Sequence, residues 1–372
     1  VEIQALRVAR LVVTPMAMNE RIERLTMADV NERAFDEIID VRAPEEYAVD
    51  HVTGAINLPV LDNDERIRVG TLHAQVSAFE AKKVGASLVS SNIACHLKDH
   101  FAKYGKTYRP LVYCWRGGQR SRSLATVLCE VGWRPAILDG GYKAYRAHVM
   151  EGLGVSEKMH WRVLNGLTGS GKTLVLHALA ERGAQVLDLE GLANHKGSLF
   201  GGDLKNPQPS QKYFETLIHE QLKAFTPERA LFVEAESPKI GHLNIPGPLW
   251  VALRSAPVIE VNSPVEARAQ YLYGDYASWL GDSQRILATI ERLRPFQSKA
   301  QIERWIGLCH AEDWIPFIET LLTEHYDKKY GAGGSGHYEA PSQTYELENQ
   351  EPASIVTCAE WLLEQAEAWD SR

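Results

Sequence analysis

At 372 residues with 45% hydrophobic side chains, the chain is long enough for two or three domains with ordinary cores. A net charge of -8 excludes a protein that coats nucleic acid over its whole surface, but leaves room for a local basic face. Five widely spaced cysteines (95, 114, 129, 309 and 358) form no CxxC pair, which excludes a zinc knuckle or dithiol motif and suits a reducing cytoplasm.

The opening VEIQALRVARLVV has a short apolar core and no small-residue cleavage pattern, so it reads as part of the mature protein. No apolar run reaches about 18 residues, and no membrane span is expected. DEIIDV (36–41) reads as a strand ending in Asp40, and Pro44 opens a helical turn. GAINLP (54–59) is a second buried strand stopped by Pro59. AFEAKKVG (78–85) is helical, LVYC (111–114) is a strand, and SRSLATVLCEVG (121–132) is a helix ended by Gly132. PAILDGG (135–141) gives a further strand and turn. Alternating strands and helices predict a parallel α/β sheet, closing a first domain over 1–150.

Within it, YCWRGGQRS (113–121) has the strand–loop–helix layout of an anion cradle. Gly117 and Gly118 free backbone N–H groups, Arg116 and Arg120 bring charge, and the following helix adds its N-terminal dipole. Arg116, Gly117, Gly118, Gln119, Arg120 and Ser121 are therefore the candidate anion ligands. The same donors would stabilise a thiolate, which makes Cys114 the candidate nucleophile. A buried core thiol is the alternative, but the polar, glycine-rich surroundings argue against it. Cys129, Cys309 and Cys358 lie in helical contexts and read as core. Cys95, beside His96, reads as a buried helical residue, with a second reactive thiol as the other reading.

From Ala81 to Arg122 there are nine Lys or Arg residues and one carboxylate, Asp99. That stripe suits a polyanion held through phosphates, with Lys98, Lys103, Lys106 and Arg109 as candidate contacts. A solvated lysine face is the plain alternative. Tyr104, Tyr108, Tyr113 and Trp115 are candidates to stack on an exposed base. For Trp115, packing against the sheet is an equal alternative.

A second α/β domain is expected over 158–330. WRVLNGLTGSGKTLVLHALAERG (161–183) is strand, glycine-rich loop and helix, followed by strands in QVLDLEG (185–191), ALFVEA (230–235) and PVIEV (257–261). GLTGSGKT fills every fixed position of a P-loop. Gly166, Thr168, Gly169, Ser170, Gly171, Lys172 and Thr173 are the candidate polyphosphate ligands, with Lys172 on the outer phosphates and Thr173 on a cation or phosphate oxygen. Asp188, Glu234 and Glu236 are candidate acidic partners. A ligand role and a structural role are evenly matched for Asp188; for Glu234 and Glu236 a surface or salt-bridge role is favoured. DLEGLANHKGSLFGG (188–202) packs four glycines with Asp188, Glu190, His195 and Lys196, a composition able to wrap a phosphate, although a lone His195 is more often a hydrogen-bonding surface group. Residues 330–343 read as turn-rich, and TCAEWLLEQAEAW as a terminal amphipathic helix packed on the second domain. The segment 331–372 is thus a flexible stretch and a C-terminal helix.

DVRAPEEY (40–47), GAINLP and CWRGGQRS (114–121) resemble a rhodanese domain. With DNDERIRVG (62–70), DGGYKAYR (139–146), DLEGLANHKGSLFG (188–201) and the downstream P-loop, the chain resembles the tRNA 2-selenouridine synthase family over about residues 36–330. HYDKKY (325–330) resembles a family segment in which Lys328 stands in place of proline. Trp115 replaces a smaller residue, Ser170 stands where cysteine also occurs, and IERLRPFQSKAQIE (290–303) departs from the family pattern.

The resemblance implies an N-terminal rhodanese-like parallel-sheet domain followed by a P-loop NTPase-like α/β domain with a C-terminal helical tail. It implies a cytoplasmic transferase whose partner is tRNA with a 2-thiouridine wobble base. Geranyl diphosphate alkylates the sulfur, and selenophosphate, delivered by a selenophosphate-supplying enzyme, replaces the geranylated sulfur with selenium. The family's essential cysteine falls on Cys114, as a selenium carrier, a group acting on the modified base or a positioner of the donor. Mg2+ is an expected companion of the P-loop; ATP or GTP is the alternative occupant. Two other classes remain open: a rhodanese sulfurtransferase coupled to an ATP-dependent kinase or adenylating domain, and a non-catalytic, nucleotide-gated, redox-sensing binding module. Neither the residues nor the resemblance fixes the oligomeric state.

Overall fold

The computed structural model describes residues 22–197, 206–276, 283–330 and 337–370. The N-terminal stretch, residues 198–202 of the glycine-rich segment and residues 331–336 of the turn-rich one lie outside the described residues. The chain divides after His148 into two compact units.

The first unit comprises β1 (Glu23–Leu25), α1 (Met27–Asn31), β2 (Glu37–Asp40), α2 (Pro44–Val49), β3 (Ala55–Asn57), α3 (Asn63–Gln75), α4 (Ala78–Asp99), β4 (Pro110–Tyr113), α5 (Gln119–Val131), β5 (Ala136–Leu138) and α6 (Gly141–Gly152) as far as His148. Its five strands are parallel in the order β1-β5-β4-β2-β3. All four residues of β4 are buried, as a central parallel strand covered on both faces requires. Register pairs Asp40 with Tyr113, so the loops holding Arg42 and Cys114 leave the same sheet edge. Asp62 and Glu65 form a reciprocal cap that starts α3, and Ser77 caps α4. Gly132, at φ 108°, ends α5 in the left-handed region.

The second unit contains β6 (His160–Asn165), α7 (Lys172–Glu181), β7 (Gln185–Leu187), α8 (Leu189–Ala193), α9 (Gln211–Ala224), β8 (Ala230–Glu234), a hairpin of β9 (Lys239–Ile240) and β10 (Leu243–Asn244), α10 (Gly247–Arg254), β11 (Val258–Asn262), α11 (Val265–Asp275) and β12 (Gln343–Glu346). Its parallel sheet runs β12-β11-β6-β8-β7. Alternate residues feed opposite faces: Trp161, Val163, Leu231 and Val233 pack with Phe214 and Ile218, whereas Leu164, Phe232 and Val261 pack with Val175 and Leu179. The C-terminal helix Pro352–Asp370 covers the second face through Cys358, Ala359 and Leu362, as its amphipathic pattern anticipates. A third core, centred on Trp305, is wholly helical and built from residues 265–326. Strand β12 corrects the turn-rich reading at its end: four residues of alternating half-burial, QTYE, pair with β11 at the sheet edge. No helix among the described residues is long and apolar enough to cross a membrane.

Candidate active sites

Cys114 follows β4 and is 3% exposed. Its Sγ accepts from Gly118 N at 3.3 Å and lies 3.4 Å from Ser121 Oγ. Burial pushes the thiol up, but hydrogen bonds from the Ser121 side chain and from the Ser121 and Arg116 N–H groups, with the Arg120 charge, outweigh it. The net effect holds Cys114 below the ordinary thiol range. An open cavity of about 320 Å³ lies over it, lined by Cys114, Trp115, Arg116, Gly118, Gln119 and Arg120. The turn after β5 underlies this loop. Gly117, at φ 63°, and Gly141, at φ 59°, approach so closely that a Cβ on Gly141 would stand 2.3 Å from the Cys114 carbonyl oxygen and 2.5 Å from Gly117 N.

The cradle arginines divide. Arg120 is held by Glu46 at 2.7 Å, which orients its charge beside the thiol. Arg116 is exposed. Beside the cradle is a buried network that the sequence reading missed. Arg42, 1% exposed, grips Asp40 through two nitrogens and donates to the Asp50 carbonyl at 2.6 Å. Its guanidinium sits 4.0 Å from the Tyr142 ring centroid, and Tyr142 donates to Asp50 at 2.8 Å. The signal was DVR at a strand end, where a buried aspartate needs a partner.

Trp115 is 38% exposed and leans on Tyr142 with centroids 5.3 Å apart, so one face packs and the rest meets solvent. The other aromatic candidates are occupied. Tyr104 and Tyr108 stack on each other at 3.9 Å, and both donate to Glu37. Tyr113 is fully buried, its hydroxyl accepting from Val52 N.

The basic stripe is split by the fold. Arg109 precedes β4 and Cys114 follows it, a separation of roughly 16 Å along the strand. Lys98 and Lys82 lie roughly 24 Å apart along α4. Lys98, Lys103, Lys106 and Arg109 therefore cluster at the sheet end away from the thiol, while Arg120 and Arg122 open the helix beside it. Cys95 is exposed, not buried: Ile93 and Leu97 take the inward face of α4, and Cys95 points elsewhere.

In the second unit, β6 leads into the P-loop and α7. Gly166, Gly169 and Gly171 adopt φ of 153°, 81° and 90°. A Cβ at Gly166 would meet Val261 O at 2.4 Å, so the glycines are required by backbone shape and by close approach. Lys172 Nζ donates to Gly166 O at 2.7 Å. Ser170 is fully buried under the loop, and Thr168 offers its carbonyl to Arg268 at 3.2 Å. Arg268 is in turn clamped by both Asp327 oxygens, which ties HYDKKY to the loop.

Three carboxylates close the far side. Thr173 Oγ1 donates toward Glu190 Oε2 and Glu234 Oε2, each 3.3 Å away, and Glu234 Oε1 accepts from Glu190 N at 3.0 Å. Glu234 is 1% exposed, which corrects the surface reading: register sets it opposite Leu164, one strand from the P-loop. Burial and Glu190 push Glu234 well up. Burial and the neighbouring carboxylates carry Glu190 and Glu236 up to about 8, with Lys172 opposing. These groups, with Lys196, Tyr271, Leu272, Asp275 and Tyr276, line a cavity of about 320 Å³. Lys196 pairs with Asp275 at 2.6 Å. Asp188 and His195 stand outside the lining. Asp188 caps α8, accepting from Gly191 N at 2.7 Å, and faces His177. His195 is half-buried near His242, and burial lowers it from its ordinary value.

The raised Glu236 has a measurable consequence. In the fold it stays protonated where the unfolded chain, at 4.5, is ionised. Its contribution to stability is complete below pH 4.5 and is lost as pH rises toward 8. Glu236→Gln, in the presence of a chelator, should therefore raise the unfolding midpoint at pH 8 by a few degrees and leave it unchanged at pH 4. Equal midpoints for variant and wild type at both pH values would show an ordinary carboxylate.

Residues 23–148 match the rhodanese-like domain family, and residues 159–299 match the tRNA 2-selenouridine synthase AAA domain. The tRNA 2-selenouridine synthase of Aeromonas salmonicida is 32% identical over 326 residues, covering 79% of this chain and 86% of that protein. That of a Sulfurovum species is 36% identical over 325 residues, covering 79% and 87%. That of Bdellovibrio bacteriovorus is 36% identical over 252 residues, 64% of each. Because the likeness runs through both the cradle and the P-loop in one order, this transferase belongs to the tRNA 2-selenouridine synthase family.

Proposed function

We propose that the chain converts the wobble 2-thiouridine of tRNA to 2-selenouridine in two steps, the first at the P-loop and the second at Cys114. The observation that carries the reading is the presence, in one chain, of a diphosphate-type loop and a separate thiol held low in an anion cradle. In the first step the thiocarbonyl sulfur attacks C1 of geranyl diphosphate, the C1–O bond breaks, N3 of the base gives up its proton to solvent, and diphosphate leaves toward Lys172 and the loop N–H groups. Thr173, Glu190 and Glu234 make an all-oxygen donor set that fits Mg2+, which keeps water and phosphate oxygens as its other ligands. When bound, the ion would neutralise the departing diphosphate.

Selenium in selenophosphate is already at the selenide level, like the sulfur it replaces. Carrying it on Cys114 as a selenosulfide would need an oxidant to make the bond and a reductant to break it. A displacement needs neither. Cys114 thiolate adds at C2 of the base, and geranylthiolate leaves with a proton. The selenium of selenophosphate then displaces Cys114, and water takes the phosphoryl group as phosphate. Arg116, Gly118, Gln119 and Ser121 hold the tetrahedral donor at the start of α5, while Arg120 favours the thiolate. Trp115 offers its open face to the base. Lys98, Lys103, Lys106 and Arg109 reach only RNA well away from the reacting nucleotide. The reaction belongs in the cytoplasm, supplied by a selenophosphate-forming enzyme.

The test is mass analysis of nucleosides from thiolated tRNA given geranyl diphosphate, then selenophosphate. S-geranyl-2-thiouridine should form first and 2-selenouridine second. ATP turnover by the protein alone, with neither nucleoside made, would replace this reading with a kinase-like one.

A further inference from the structure

Beside the Cys114 cavity runs a larger groove of about 720 Å³, bounded by α3, α4 and α5. Gln119 and Arg120 line both, so the two adjoin. Much of its lining is apolar: Leu61, Val69, Ala81, Ala86 and Val89. Gly85 lets the α3 and α4 backbones close in; a Cβ there would already touch Val69 at 3.4 Å. Its rim carries Lys82 and Arg122, both exposed, and no carboxylate among the described residues lines it.

We propose that this groove receives the isoprenoid chain of the tRNA-borne thioether while C2 of the base faces Cys114. The inference rests on the two-step reading above and assigns the place where the second substrate is recognised. The leaving sulfur is bonded to C2, so it must lie within the cradle when Cys114 attacks. The chain on that sulfur has to continue into whatever space adjoins the cradle, and much of the lining of that space is apolar. A nucleoside or free phosphate would gain nothing from that lining, whereas a ten-carbon chain would. The cationic rim complements the phosphates that flank the modified nucleotide. The volume falls within the range of small-molecule sites. The same contact explains how the second step tells an alkylated base from a bare 2-thiouridine: the chain anchors the base over the thiol.

The test uses the full chain carrying Cys114→Ser, so that nothing turns over, and three RNA stem-loops bearing 2-thiouridine, its S-methyl or its S-geranyl derivative. Each buried methylene is worth about fourfold in affinity, so the geranyl RNA should bind roughly tenfold or more tighter than the methyl RNA. Adding Ala86→Phe, at an exposed helical position, should abolish most of that gain and leave the methyl RNA unaffected. Val69→Phe, from the α3 side, should do the same and covers a failure of the first variant to fold. Lys82→Ala with Arg122→Ala should weaken all three RNAs alike and flatten the salt dependence. A geranyl gain that survives both filling variants, or no gain at all, overturns the groove. Unchanged affinity in the rim variant overturns the phosphate contacts. If geranyl RNA binds in the groove but wild type forms no S-geranyl product from geranyl diphosphate, the two-step reading fails while the groove stands.

Discussion

Cys114→Ser should lower 2-selenouridine formation by about 10³-fold or more, the scale seen when a nucleophile is removed, while S-geranyl-2-thiouridine forms and accumulates. In the proposed first step, geranyl transfer would use the sulfur of the substrate and a bound diphosphate, and would need no protein thiol. The proposed second step would need a soft nucleophile whose thiolate form is favoured. The cradle supplies that through Ser121, the backbone N–H groups and Arg120. Serine keeps the shape of the buried slot and the Gly118 N–H contact but ionises far above working pH. Cys129→Ser, a partly buried thiol outside the cradle, is the control for general thiol loss. Substantial 2-selenouridine from the Cys114 variant would remove the thiol from the chemistry. Loss of both nucleosides, in a folded variant that binds tRNA, would reject the division of labour between the two units.

Lys172→Ala should cut geranyl transfer by about 10² to 10³-fold at saturating donor, with tRNA affinity largely kept. Lys172 opens α7, and its ammonium reaches the loop carbonyls over the cavity, where a departing diphosphate would collect charge. The surrounding carboxylates make it the cation that offsets Glu190, Glu234 and Glu236. Pre-formed S-geranyl tRNA, supplied with selenophosphate, should still be selenated by this variant. That outcome separates a lost first step from a damaged fold. Unimpaired transfer would move the diphosphate to another site.

Much of this architecture was legible because certain residues leave few options. Glycines at 166, 169 and 171 announce a loop that only positive φ can make, and RVLN and LVLHALAE frame it. Cys114 was legible from its polar, glycine-rich neighbours. Glu234 was undervalued because its partner is a hydroxyl on another element: nothing in ALFVEA shows that β8 pairs with β6. Asp188 carried a readable signal, an acidic residue opening a short helix, which is the place of a cap. The basic stripe is continuous in sequence but not in space, because β4 carries its two ends apart. β1 and β12 escaped notice for another reason: three or four residues of mixed polarity show too little periodicity to read.

The close seating of Gly141 under the cradle bears on how sequences of this kind diverge. The cysteine loop sits directly on the backbone of the turn after β5, so its shape depends on a residue 27 positions downstream, on the far side of a helix and a strand. Any side chain at 141 would lift the Cys114 carbonyl and the Arg116 and Gly117 N–H groups together. A descendant chain that keeps CWRGGQRS but loses the second glycine of DGGY would carry the cysteine as a relic, with its anion pocket dismantled from below. The pair of motifs, and not the cysteine by itself, marks a working copy.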